Sequence, residues 1–116
     1  MTTVVLGKLT DIPEPGAKGF DPWGVGQDTL LVVRSGGGIY AYRDLCPHYG
    51  DTRLPWKKDK YLSPQATTIV CAAHGAQFEI TTGRCISGPC LNQYLSKVPV
   101  QVLANGDLLA TLSESD

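Results

Sequence analysis

Apolar residues along this chain gather in short runs of at most four or five, separated by glycine, proline and small polar residues. No stretch keeps a 3.6-residue apolar period over three turns, so the pattern predicts strands rather than helices. Val4–Leu9 reads as the first strand. Thr29–Arg34 and Ile39–Asp44 are β-branched and aromatic runs on either side of Ser35-Gly36-Gly37-Gly38, which predicts a hairpin. Ala66–Cys71 and Gln77–Ile80 read as two further strands, followed by a turn at Thr81-Thr82-Gly83-Arg84. Val98–Ala104 and Asp107–Leu112 flank Asn105-Gly106, a pair that accepts positive φ at both centres of a tight turn. Ile12–Gly26 is rich in proline and glycine and reads as a loop. The fold class expected is all-β, in one domain over residues 1–116.

Composition narrows the function classes. A chain of 116 residues with 42% hydrophobic and 18% charged residues can bury one modest core, and disorder is not expected. A net charge of -1 argues against a nucleic-acid partner, which would call for a basic excess. The first residues carry no basic segment followed by an apolar run, and no apolar run approaches a membrane span. A cytoplasmic protein with no membrane partner is therefore expected. In that setting four cysteines suggest metal ligation or thiols before disulfides.

The chemistry concentrates in two short loops. Cys46-Pro47-His48-Tyr49-Gly50 follows the Ile39–Asp44 strand, and Cys71-Ala72-Ala73-His74-Gly75 follows Ala66–Val70. The pattern is C-x-H, 22 residues, then C-x2-H, and it uses both histidines of the chain. Two thiolates on one iron and two neutral imidazoles on the other suit a mixed-ligand [2Fe–2S] cluster. Replacing two anionic ligands by neutral ones raises its potential above that of an all-cysteine centre. Pro47 fixes φ in the first loop, and backbone amides there can donate to cluster sulfur. A structural zinc ion is the alternative, because it also takes two cysteines and two histidines. Zinc fingers, however, place both cysteines before both histidines and carry the second pair on a helix.

With CPH in the first loop, CAAHGAQFEITTGR in the second and Ser87-Gly88-Pro89 beyond them, the chain resembles the Rieske ferredoxins from its first strand to Leu112. The resemblance implies a β-sandwich-like base domain with a small inserted cluster-binding subdomain, about residues 44–90. It implies that Cys46 and Cys71 bind the inner iron, and that His48 and His74 bind the outer iron near the surface. The 22-residue spacer is longer than usual in such ferredoxins. High-potential relatives place serine and tyrosine where this chain has Ala76 and Phe78, and bridge their loops by cysteines where it has Asp51 and Ala73. A potential in the lower half of the Rieske range is expected.

Cys85 and Cys90 read as small packing thiols rather than a disulfide or extra ligands. Trp23 is expected to plug the base core, while Trp56 faces either solvent or a partner. Arg53, Lys57, Lys58 and Lys60 read as a solvated loop, with steering of an acidic partner as the sharper alternative. Pro47, Tyr49, Ala76 and Pro89 are expected around the electron port. The resemblance implies a non-enzymatic one-electron carrier between a reductase and a terminal oxygenase, through transient contacts. The alternative is the small Rieske-like subunit of a cytoplasmic nitrite reductase. A Rieske oxygenase itself, with its mononuclear-iron domain, would be far longer.

Overall fold

The computed structural model describes residues 2–44, 61–71, 75–88 and 91–112. In chain order their strands are β1 (Thr2–Lys8), β2 (Gly16–Phe20), β3 (Leu30–Ser35), β4 (Gly38–Arg43) and β5 (Thr68–Val70). They continue with β6 (Gln77–Glu79), β7 (Cys85–Ser87), β8 (Lys97–Val98), β9 (Val100–Val102) and β10 (Asp107–Leu112). A single 3-10 turn, Leu9–Asp11, is the only helical element among the described residues. The strands form three antiparallel sheets, ordered β1-β10-β9, β2-β3-β4-β8 and β5-β6-β7. The all-β reading holds.

The middle sheet organises the molecule. Leu30, Leu31, Val32 and Val33 of β3 are all without exposed surface. Successive strand residues face opposite sides, so the four cannot share one core. Leu30 and Val32 join Ile12, Phe20, Ala41, Leu108, Ala110 and Leu112. Leu31 and Val33 join Tyr42, Tyr61, Ile69, Phe78 and Ile80 on the other side. A strand covered on both faces reads as a continuous apolar run rather than as alternation, which is the run seen in the sequence. Each fully buried leucine or valine contributes about 1.5–3 kcal/mol. On β10, covered on one face, Leu108, Ala110 and Leu112 alternate with partly exposed neighbours.

Several sequence expectations are corrected. Residues 16–20 lie in the segment read as a loop, yet they pair with β3 from Gly16↔Arg34 to Phe20↔Leu30. Gly19 is a requirement of that strand: a Cβ there would lie 2.3 Å from Asp28 Oδ2 and 2.4 Å from the Tyr61 hydroxyl. The run read as one strand over Val98–Ala104 is two, because the chain leaves β4 and joins β10 across Pro99, which has no N–H for a ladder. β7 was not foreseen. At the last hairpin only Gly106 has positive φ (89°). Its N–H donates to the Leu103 carbonyl at 2.9 Å, and the Asn105 carboxamide accepts the Asp107 N–H at 3.1 Å. Asn105 therefore caps a longer turn instead of occupying a two-residue one. Trp23 is 42% exposed and belongs to neither core cluster; the Asp21 carboxylate holds its loop through the Val25 and Gly26 N–H groups.

Candidate metal centre

Of the four ligands read from the sequence, the described residues include Cys71; Cys46, His48 and His74 lie outside them. Cys71 follows β5 directly and has no exposed surface. Its N–H donates to the Ala76 carbonyl at 2.9 Å, and its carbonyl accepts the Gly75 N–H at 2.8 Å. The chain thus closes on itself between Cys71 and Ala76, with Gly75 at φ 70°. The β5–β6 register behind it pairs Thr68 with Glu79, Ile69 with Phe78 and Val70 with Gln77. That ladder fixes where the second loop begins and ends.

The segment after β7 presses on the same loop. Gly88 sits at φ 107°, and a Cβ there would lie 2.7 Å from the Ala76 Cα and 3.1 Å from its Cβ. Only glycine admits this approach. Ala76 is consequently buried and, contrary to the sequence reading, offers no surface to a partner. Pro47, Tyr49, Pro89 and the Arg53–Lys60 basic cluster lie outside the described residues, as do Trp56 and Cys90. Cys85 is buried, and its Sγ donates to the Ser87 carbonyl at 3.3 Å.

Among the described residues two buried tyrosine hydroxyls tie this region to the rest of the fold. The Tyr42 hydroxyl on β4 donates to the Ile80 carbonyl just beyond β6 at 2.6 Å. Burial first, and then the neighbouring Tyr40, push the Tyr42 phenol up to about 12. The Tyr61 hydroxyl donates to Asp44 Oδ2 at 2.9 Å. Sequence reading missed both, since each depends on which strands stack and no local motif announces it.

Among the described residues no three His, Cys, Asp or Glu side chains gather into a metal site; three of the four expected ligands lie outside them. What is described fits an iron–sulfur cluster. A buried cysteine stands at a strand end, in a loop closed by backbone hydrogen bonds, and Gly88 lets the segment after β7 pack closely against Ala76 of that loop. Cys71 can supply one of the two thiolates that such a mixed-ligand cluster takes. Among the described residues no helix is long and apolar enough to cross a membrane.

Comparison with known proteins agrees with this chemistry. The family model for the Rieske [2Fe-2S] domain matches residues 2–108. The ferredoxin of carbazole 1,9a-dioxygenase from Nocardioides aromaticivorans IC177 is 25% identical, with a TM-score of 0.74 over 97% of this chain and 100% of that one. A chain in the complex of reduced oxygenase and oxidized ferredoxin of carbazole 1,9a-dioxygenase is 26% identical. There the TM-score is 0.71, over 94% of this chain and 92% of the other. The Sphingomonas yanoikuyae B1 ferredoxin, at 20% identity, shares the fold with a TM-score of 0.69 over 97% and 100%. No curated protein sequence matches the chain. From its first strand to Leu108, this chain belongs to the Rieske [2Fe-2S] domain family and carries that family's single cluster.

Proposed function

We propose that this protein is the ferredoxin component of an oxygenase system, taking one electron at a time from a reductase and delivering it to a terminal oxygenase. The observation that carries this reading is end-to-end correspondence with a dioxygenase ferredoxin: 97% of this chain aligns with the whole of that protein. The related carbazole 1,9a-dioxygenase ferredoxin is seen in complex with its oxygenase. When bound, the cluster supplies reversible one-electron chemistry at a potential set by its mixed ligands. The thiolates of Cys46 and Cys71 would hold one iron and the imidazoles of His48 and His74 the other. The surrounding chain binds, orients and shields, and forms or breaks no substrate bond. Residues about 44–90 form the cluster-binding subdomain on a base built from the other two sheets, and the protein works in the cytoplasm.

The test begins with purified protein. It is expected to hold about two irons and two sulfides and to give a mixed-ligand Rieske EPR signal on reduction. Cys46→Ser and Cys71→Ser are expected to lose the cluster, and His48→Ala and His74→Ala the Rieske signature. Zinc in place of iron would sink the cluster assignment. The carrier role is tested by stopped-flow mixing with an oxygenase-system reductase and then with a terminal oxygenase. Second-order reduction and reoxidation are expected; a permanent stoichiometric complex with a reductase subunit would overturn the freestanding role.

A further inference from the structure

Asp44 and Tyr61 are the described residues on either side of positions 45–60, and one hydrogen bond joins them. The Tyr61 hydroxyl donates to Asp44 Oδ2 at 2.9 Å, and neither residue has more than 1% of its surface exposed. Both are fixed from behind. The Asp44 N–H donates to the Thr29 carbonyl at 2.9 Å, and the preceding Arg43 N–H donates to Ser96 at 2.8 Å. The Tyr61 carbonyl accepts the Val70 N–H at 2.7 Å, one residue before Cys71. The fold also makes room for the contact. Gly19 stands where a methyl would come within 2.4 Å of the Tyr61 hydroxyl and 2.3 Å of Asp28 Oδ2.

From this convergence we infer that Tyr61 and Asp44 form a positioning clasp that fixes the roots of the two cluster loops relative to each other. The inference rests on Cys46 and Cys71 being ligands. Asp44 lies two residues before Cys46, and Tyr61 is paired to the residue before Cys71. A hydroxyl–carboxylate bond buried away from water is short-ranged and directional, so it sets the offset between the loops more tightly than apolar packing does. Ligands held to a fraction of an ångström by such supports give a cluster one geometry and one potential. Neither residue touches iron in this scheme; both act through the chain they hold.

The decisive variant is Tyr61→Phe in the loaded protein, which keeps the ring in its core and removes only the hydroxyl. It is expected to assemble the cluster with broadened EPR features and a shifted potential. Iron loss to a chelator is expected to be roughly fivefold faster, the ratio equivalent to about 1 kcal/mol. Asp44→Asn keeps an acceptor oxygen and is expected to retain the wild-type linewidth; Asp44→Ala is expected to match Tyr61→Phe. Gly19→Ala pushes a methyl onto the hydroxyl with both clasp residues in place, and serves if Tyr61→Phe does not fold. It too is expected to broaden the signal. A variant with wild-type linewidth, potential and iron release, whatever its melting temperature, would overturn the clasp alone. Wild-type protein without a Rieske signal would overturn the ligand assignment and the clasp together.

Discussion

Tyr42→Phe gives a quantitative test of how the middle sheet is joined to the β5–β6–β7 sheet. The hydroxyl donates to the Ile80 carbonyl at 2.6 Å, and the residue has no exposed surface. Removing it at pH 7 is expected to cost about 1 kcal/mol, the usual net worth of such a bond. That corresponds to a melting temperature roughly 4 °C lower for a chain of this size. In alkali the order of stabilities reverses. The phenol is raised from 10.0 to about 12 in the fold, by burial first and by Tyr40 second. Above pH 10 the unfolded chain releases this proton while the folded chain keeps it. The unfolded state then binds fewer protons, so stability falls as pH rises. Across the two pH units the wild type loses at most about 2.7 kcal/mol from this group, at 1.36 kcal/mol per unit. The phenylalanine variant has no such proton to lose. The two stability curves are therefore expected to cross at about pH 10.6, where the loss equals the hydrogen bond's about 1 kcal/mol. Urea unfolding of both proteins from pH 7 to 11.5 measures the difference, in which the other titrating groups cancel. A gap that stays constant with pH would refute the burial argument. No gap at pH 7 would refute the hydrogen bond.

Two further outcomes are expected. Gly88→Ala places a methyl 2.7 Å from the Ala76 Cα at a φ of 107° and is expected to cost about 2–4 kcal/mol in thermal or urea unfolding. Adding Ala76→Gly should not restore stability, because the nearest atom is Ala76 backbone; full restoration would contradict the contact. Voltammetry is expected to place the wild-type potential in the lower half of the roughly -150 to +300 mV Rieske range, since Ala76 and Phe78 offer no hydroxyl to cluster sulfur. Ala76→Ser with Phe78→Tyr should raise it, and a wild-type value well above about +100 mV would contradict the reading.

What could be read from the sequence follows from how local each signal is. The β3–β4 hairpin was legible because its β-branched and aromatic runs and glycine turn lie within fifteen residues, Thr29–Arg43. The two Cys/His loops stand out in the sequence because cysteine and histidine recur at short spacing; of their four candidate ligands the described residues place only Cys71, at a strand end. β2 was hidden because its glycines, which look like loop residues, are demanded by Pro13 against Gly16 and by Asp28 and Tyr61 against Gly19. The switch of sheets at Pro99, the burial of Ala76 and the exposure of Trp23 depend on which layers stack, and no window of neighbouring residues encodes that. The Asp44–Tyr61 contact spans seventeen positions and joins two residue types with no shared motif.

The two buried faces of β3 bear on how far this protein can be divided into exchangeable parts. Leu31 and Val33 of β3 complete the core beneath the β5–β6–β7 sheet, while Leu30 and Val32 complete the opposite one. A transplant cut at the ends of the β5–β6–β7 segment would leave behind part of the apolar floor beneath that sheet. A graft of the β5–β6–β7 sheet onto another β-scaffold therefore has to bring alternate residues of a host strand with it, matched in register. The natural seam for modular exchange runs along one face of a strand, and no linker among the described residues marks it.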